Sequence, residues 1–169
     1  MNLVNFTRRL IDIPSLTGNE RSVAEFLAAH LESLGYNVER QHVTADRFNI
    51  IATTAAAPPR VVFSTHMDTV PPFIPSREDA EYIHGRGSCD AKGIIAAQIH
   101  AAERLRANGM NELGFLFTVD EELSSAGAQA ANKHPLAREC RFLINGEPTD
   151  NRLATGTKGS LRLVLTTEG

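Results

Sequence analysis

Cysteine is scarce in this chain, and the scarcity is informative. Only Cys89 and Cys140 occur among 169 residues, and they form no CxxC pair of the metal-binding type. With no export signal, two lone cysteines point to free thiols in a reducing cytoplasm. Long apolar runs are also missing: none approaches the roughly 20 residues of a membrane span. Basic runs are missing too, and 17 basic against 20 acidic residues leave a formal net charge of −3. Charge therefore makes no case for nucleic acid or an anionic membrane as partner. The opening MNLVNFTRRLIDIPS has arginines after a short apolar stretch and no small-residue cleavage site. It reads as an amphipathic helix rather than a signal peptide. There is no internal repeat and no low-complexity segment.

What remains is the composition of an ordinary globular domain, 42% hydrophobic and 22% charged, long enough for one proper core. Leu3, Phe6, Leu10 and Ile13 recur at helical spacing until Pro14. TGNE then offers a capping box of Thr17 with Glu20, opening a second helix that runs to about Leu34 and stops at Gly35. YNVERQHV and FNIIATT read as strands, and VVFS, LGFLFTV and RFLING as central strands buried on both faces. A long loop with a short strand at Tyr82-Ile83 precedes the clearest helix, AKGIIAAQIHAAERLRANG, and a small-residue helix is expected over Ser125 to Lys133. RLATGTKGSLRLVLTTEG reads as two strands around a Gly-rich turn. Strands alternating with helices predict an α/β fold, a doubly wound and mostly parallel sheet with helices on both faces. In that architecture ligands sit beyond the carboxyl ends of the strands.

Three of the buried strands end on acid-bearing segments. VVFS leads to His66 and Asp68, LGFLFTV to Asp120, Glu121 and Glu122, and RFLING to Glu147, while Asp90 sits in GRGSCDAKG before the long helix. Each has a bland explanation when taken alone. His-x-Asp suits a surface histidine beside a capping acid, Asp90 an N-cap, Glu121-Glu122 a solvated loop and Glu147 a turn. Taken together, one histidine and several carboxylates at one sheet edge would repel one another unless cations bind there. Imidazole and carboxylate donors suit zinc, cobalt or manganese. Two such metals 3.5–4 Å apart need a bridging carboxylate, for which Asp90 is the natural candidate.

STHMDTVPP, GRGSCDAKG, VDEELSSAGA and NGEPTD stand in the order and approximate spacing of a co-catalytic zinc metallopeptidase and deacylase family, which the chain resembles over essentially its whole length. That family includes acetylornithine deacetylase, succinyl-diaminopimelate desuccinylase, aminoacylase and glutamate carboxypeptidase. The resemblance implies two divalent metal ions, zinc first and cobalt or manganese as alternatives. His66 and Glu147 would ligate one, Glu122 the other, and Asp90 both. Asp68 would orient the His66 ring, and Glu121 would act as general base. The implied activity is hydrolysis of an amide bond in N-acyl amino acids or small peptides by a metal-bridged hydroxide. A homodimer is implied for the full-length relative.

Two parts of that family find no match here, a lid or dimerisation domain and a closing segment with a last histidine ligand. The expected organisation is therefore an N-terminal part of the catalytic domain over 1–158, with 159–169 starting a strand towards an absent lid. The position built on Asp90 and Glu122 is then one ligand short, and the isolated chain is expected to be weakly active or inactive. None of His30, His42, His84, His100 and His134 suits the vacancy. Cys89 is expected to pack rather than to act as a nucleophile, since the acidic surroundings oppose a thiolate. Lys158 reads as a turn residue, or as a partner for a substrate carboxylate. The competing reading is a non-catalytic metal-binding fragment or interaction module that keeps the fold.

Overall fold

The computed structural model describes residues 2–54, 58–156 and 165–167. The elements follow in the order α1 (Leu3–Asp12), α2 (Arg21–Ser33), β1 (Asn37–His42), β2 (Phe48–Thr53), β3 (Val61–His66), β4 (Arg77–Glu78), β5 (Ile83–His84), α3 (Lys92–Ala107), β6 (Leu113–Thr118), α4 (Ala126–Ala131), α5 (Leu136–Glu139) and β7 (Phe142–Asn145). Asn2 caps α1 by accepting from the Asn5 N–H, which satisfies one of the donors a helix start leaves free. Gly35 ends α2 in the left-handed region, at φ 86°.

Five strands form one sheet in the order β1-β2-β6-β3-β7, and β4 with β5 makes a separate hairpin. β3 lies parallel to both β6 and β7, whereas β2 is antiparallel to both β1 and β6. Every strand of the sheet except β2 thus runs the same way. Alternation along the strands divides the core. Phe48, Ile50, Phe63, Leu113, Phe115 and Phe117 pack with α1, α2 and α3 on one face. Ile51, Val62 and Leu116 pack with Leu136 of α5 on the other. Helices therefore cover both faces, as the α/β pattern predicts. No helix among the described residues is long and apolar enough to cross a membrane.

Five expectations need correction. Thr17 and Glu20 make no capping box: Glu20 occupies the N-cap of α2 without a side-chain cap bond, because its carboxylate is turned inward to Arg47. β7 is not central. It pairs only with β3 and forms the edge of the sheet among the described residues, with all four of its residues exposed. The short strand before the long helix is Ile83–His84, one residue later than expected. Cys89 is exposed rather than packed, since the neighbouring Ala91 and Lys92 take the inward positions. Residues 152–156 form no strand, and LRLVL and Lys158 lie outside the described residues.

Candidate metal centre

β3 and β6 run side by side and end level, with His66 opposite Thr118. Their carboxyl ends therefore release His66–Asp68 and Asp120–Glu122 at one place. His66 is 1% exposed and Asp68 fully buried. The His66 ring is fixed on both sides. Nδ1 faces the Asp68 carbonyl oxygen at 3.0 Å and its carboxylate at 3.4 Å. Nε2 faces Asp90 Oδ1 at 2.8 Å and Glu147 Oε2 at 3.9 Å. Nδ1 is directed at the two Asp68 oxygens and Nε2 at the acids, so a ring protonated at Nδ1 alone would offer its Nε2 lone pair to a cation.

Asp68 does more than face the ring. Its Oδ1 accepts the Glu121 N–H at 3.0 Å, and its Oδ2 accepts the Glu122 N–H at 3.1 Å and the Thr17 hydroxyl at 2.9 Å. Burial opposes its charge, but the His66 ring, these two N–H groups and Thr17 hold its pKa below the usual carboxylate range. Thr17 arrives there because the segment after α1 runs beside the β3 exit: Thr69 N–H donates to Ser15 O at 2.9 Å, and Ser15 Oγ donates to Met67 O at 2.8 Å.

The remaining acids come from other elements. Asp90 ends the loop before α3, and its peptide bond to Ala91 is cis. The buried Lys92 ties this loop to the end of α1, its Nζ donating to Ile13 O at 2.6 Å. Burial lowers the Lys92 pKa to about 8 against the pull of Asp12. Glu147 leaves β7 through Gly146, where a Cβ would collide with Ile94 and Gln98 of α3, so the close approach of strand to helix requires glycine. Glu121 lines a cavity of about 260 Å³ together with His66, Glu147, Ser125 and Asn145.

His66, Asp90 and Glu122 each place one ligand atom so that all three lie within 4.8 Å of one another. The electrostatics agree with a cation-binding role. Burial, then the charge of Asp90, raises the Glu122 pKa. Burial, then Glu121 and Asp90 against the opposing pull of His66, raises that of Glu147. Burial alone would lower the His66 pKa, but Asp68, Asp90 and Glu147 raise it to about 9. Imidazole and carboxylate donors converging in a partly buried cluster fit a divalent cation of the zinc, cobalt or manganese type.

The other histidines are elsewhere. His30 packs against Phe6 and His42 against Phe48 with tilted rings, His84 pairs with Asp79 and His134 with Glu39, and His100 lines a different hollow. Among the described residues none joins the cluster. Sequence reasoning missed Glu20 and Arg47, which support the centre from behind, and gave Asp120 no task of its own. Asp120 sits in the left-handed region at φ 64°, and its side chain accepts from Arg47, the Ser124 hydroxyl and the Ala126 N–H. The sequence signal for Glu20 was its place in TGNE, which pointed to a helix cap instead.

The sequence profile of peptidase family M20/M25/M40 matches residues 62–158. A peptidase M20 domain-containing protein of Schizosaccharomyces pombe is 41% identical over 99% of this chain and 44% of its own length. A probable carboxypeptidase of Emericella nidulans is 44% identical over 91% of this chain and 42% of its own length. The solved structure of human carnosine dipeptidase 1 superposes with a TM-score of 0.74 at 18% identity, over 86% of this chain and 38% of that one, a likeness of fold. The chain thus spans less than half the length of the curated relatives it matches.

Proposed function

The chain belongs to peptidase family M20/M25/M40, and from that premise we propose that it carries the metal centre of a hydrolase acting on amide bonds of N-acyl amino acids or small peptides. The observation that carries the reading is the convergence of His66, Asp90 and Glu122 within 4.8 Å, with Glu147 beside His66. His66, Asp90 and Glu147 would hold one divalent cation, and Asp90 with Glu122 a second. Divalent cations held there would supply charge to polarise a carbonyl and would bring the pKa of water from about 15.7 towards 7. Asp68 fixes the His66 ring and the main chain of Glu121 and Glu122. Glu121 takes the proton of the attacking water and returns it to the leaving amine. Glu121 and Glu122 follow one another in the turn after β6, Glu121 lining the cavity and Glu122 standing among the converging ligand atoms, which suits their separate tasks. Free thiols at Cys89 and Cys140 suit a cytoplasmic setting, and homodimerisation belongs to the reading of full-length relatives.

These residues give three ligands to one cation position and two to the other. Calorimetric titration of the chain with Zn²⁺ or Co²⁺ is therefore expected to show one tight and one weaker site, with little turnover of N-acyl amino acids by these 169 residues alone. In a longer version that hydrolyses such a substrate, Glu121→Gln should keep both metals and lose turnover by about 10²- to 10⁴-fold. Undiminished turnover would remove Glu121 from the mechanism. Absence of metal binding in both versions would overturn the reading.

A further inference from the structure

Three consecutive main-chain N–H groups, at Asp120, Glu121 and Glu122, all donate to carboxylates from distant parts of the chain. Asp120 donates to Glu20 Oε1 at 3.2 Å, Glu121 to Asp68 Oδ1 at 3.0 Å and Glu122 to Asp68 Oδ2 at 3.1 Å. A segment between a strand and a helix would otherwise be free to shift. Here the amides of residues 120, 121 and 122 are each held.

The grip at Asp120 has an electrostatic cost. Glu20 is fully buried and Asp120 is 3% exposed, and two carboxylates out of water are unfavourable unless a cation and hydrogen bonds compensate them. One side chain compensates both. Arg47 Nε donates to Glu20 Oε2 at 2.9 Å, and its Nη2 donates to Glu20 Oε1 and to Asp120 Oδ1, each at 2.7 Å. The planar fork meets Glu20 at two points and reaches Asp120 with the same nitrogen, which a lysine ammonium cannot reproduce. The Arg47 main chain is fixed as well, since its carbonyl accepts from Val43 and Thr44 in the turn between β1 and β2. The Gly18 N–H adds a further bond to Glu20 at 3.1 Å. This ties the network to the same turn from which Thr17 reaches Asp68.

We infer that Arg47 is a positioning residue of the metal centre: by neutralising Glu20 and Asp120 together it fixes the segment that presents Glu121 and Glu122. It is neither in the candidate ligand group nor in the lining of the cavity. The inference rests on the roles proposed above for those two glutamates.

Two measurements on the full chain test it. In the metal-free protein, Arg47→Met should speed hydrogen exchange at the amides of residues 120–122 by about tenfold or more, while the amides of β3 and the adjoining part of β6 stay protected. In calorimetric titration with Zn²⁺, Arg47→Met should weaken the site built on Glu122 by about tenfold and leave the His66–Glu147 site within about twofold. Arg47→Lys, which keeps the charge and loses the fork, should fall between Arg47→Met and the unchanged protein. Should Arg47→Met fail to fold, Arg47→Lys decides by the same two readouts. Unchanged exchange at 120–122 would overturn the inference. So would a loss spread evenly over the sheet and both metal sites, which is what a merely structural role produces. If the unchanged chain binds no Zn²⁺, the metal-centre reading fails by itself, and the exchange pattern still decides whether Arg47 holds the segment.

Discussion

His66 and Glu147 stand 3.9 Å apart, yet the strands that deliver them differ in nearly every physical respect. β3 is flanked by β6 and β7, and its last five residues are buried. β7 is the edge strand, with Phe142, Leu143 and Ile144 between 49% and 55% exposed. The acids follow their strands. Asp68, beyond β3, is buried, accepts hydrogen bonds from Thr17, Glu121 and Glu122, and has its pKa held down. Glu147, beyond β7, accepts one long bond from Asn145 at 3.4 Å, and its pKa is pushed up by burial and neighbouring acids. One side of the centre is built whether or not a cation is present. The other side carries a carboxylate that the His66 ring compensates only in part, since its pKa still rises; on the proposed reading a cation there would supply the rest.

That contrast can be broken at four points. Phe115 is fully buried in the face shared by β3 and β6, and Phe115→Ala should destabilise by about 3–5 kcal/mol in chemical denaturation. A cost below about 1 kcal/mol would mean that this side is not the rigid one. Asp68→Ala strands the N–H groups of Glu121 and Glu122 and removes the carboxylate beside His66 Nδ1, leaving only the main-chain carbonyl there. It should cost about 3 kcal/mol, again by denaturant titration, and loosen both glutamates.

The third test is pH. The folded His66 pKa is raised from 6.5 to about 9. Its contribution is therefore complete below the unfolded value and is lost as pH rises through the folded one. Asp68 is lowered, so its contribution is present above 3.8 and lost on acidification. The metal-free chain should thus be about 2–3 kcal/mol less stable at pH 9 than at pH 6. Asp68→Ala should flatten that slope, and a flat profile in the unchanged chain would contradict the coupling. The smallest effect belongs to the edge. Glu147→Gln should change metal-free stability by no more than about 0.5 kcal/mol, and not in the destabilising direction, while weakening the first Zn²⁺ bound in calorimetry. A clear loss of stability would make the two sides alike.

The fold was legible where burial follows from the chain's own periodicity. Leu3, Phe6 and Leu10 announce α1, Ile95, Ile99 and Ala102 announce α3, and VVFS and LGFLFTV announce β3 and β6. The centre was legible in part for the same reason. A buried strand must surface somewhere, and the polar residues at its carboxyl end mark the place. RFLING misled because an apolar strand is the same string of letters at the edge of a sheet as at its centre. Glu20 misled because an acid at the start of a helix has a local explanation, and only a partner 27 residues away displaced it.

From the sequence alone came the alternation of strands and helices, the convergence of His66, Asp68, Asp90, Glu121, Glu122 and Glu147 on one edge, and the resemblance in four ordered motifs. These are properties of short segments, and local rules of periodicity and composition reach that far. The tertiary structure decided how the segments are held: Asp68 against two successive amides, Arg47 between Glu20 and Asp120, and Glu147 on an edge. The contacts of Asp68 and Arg47 join residues 27, 53, 54 and 73 positions apart. Their energies depend on burial and on charge partners that exist only once the sheet has brought the segments together.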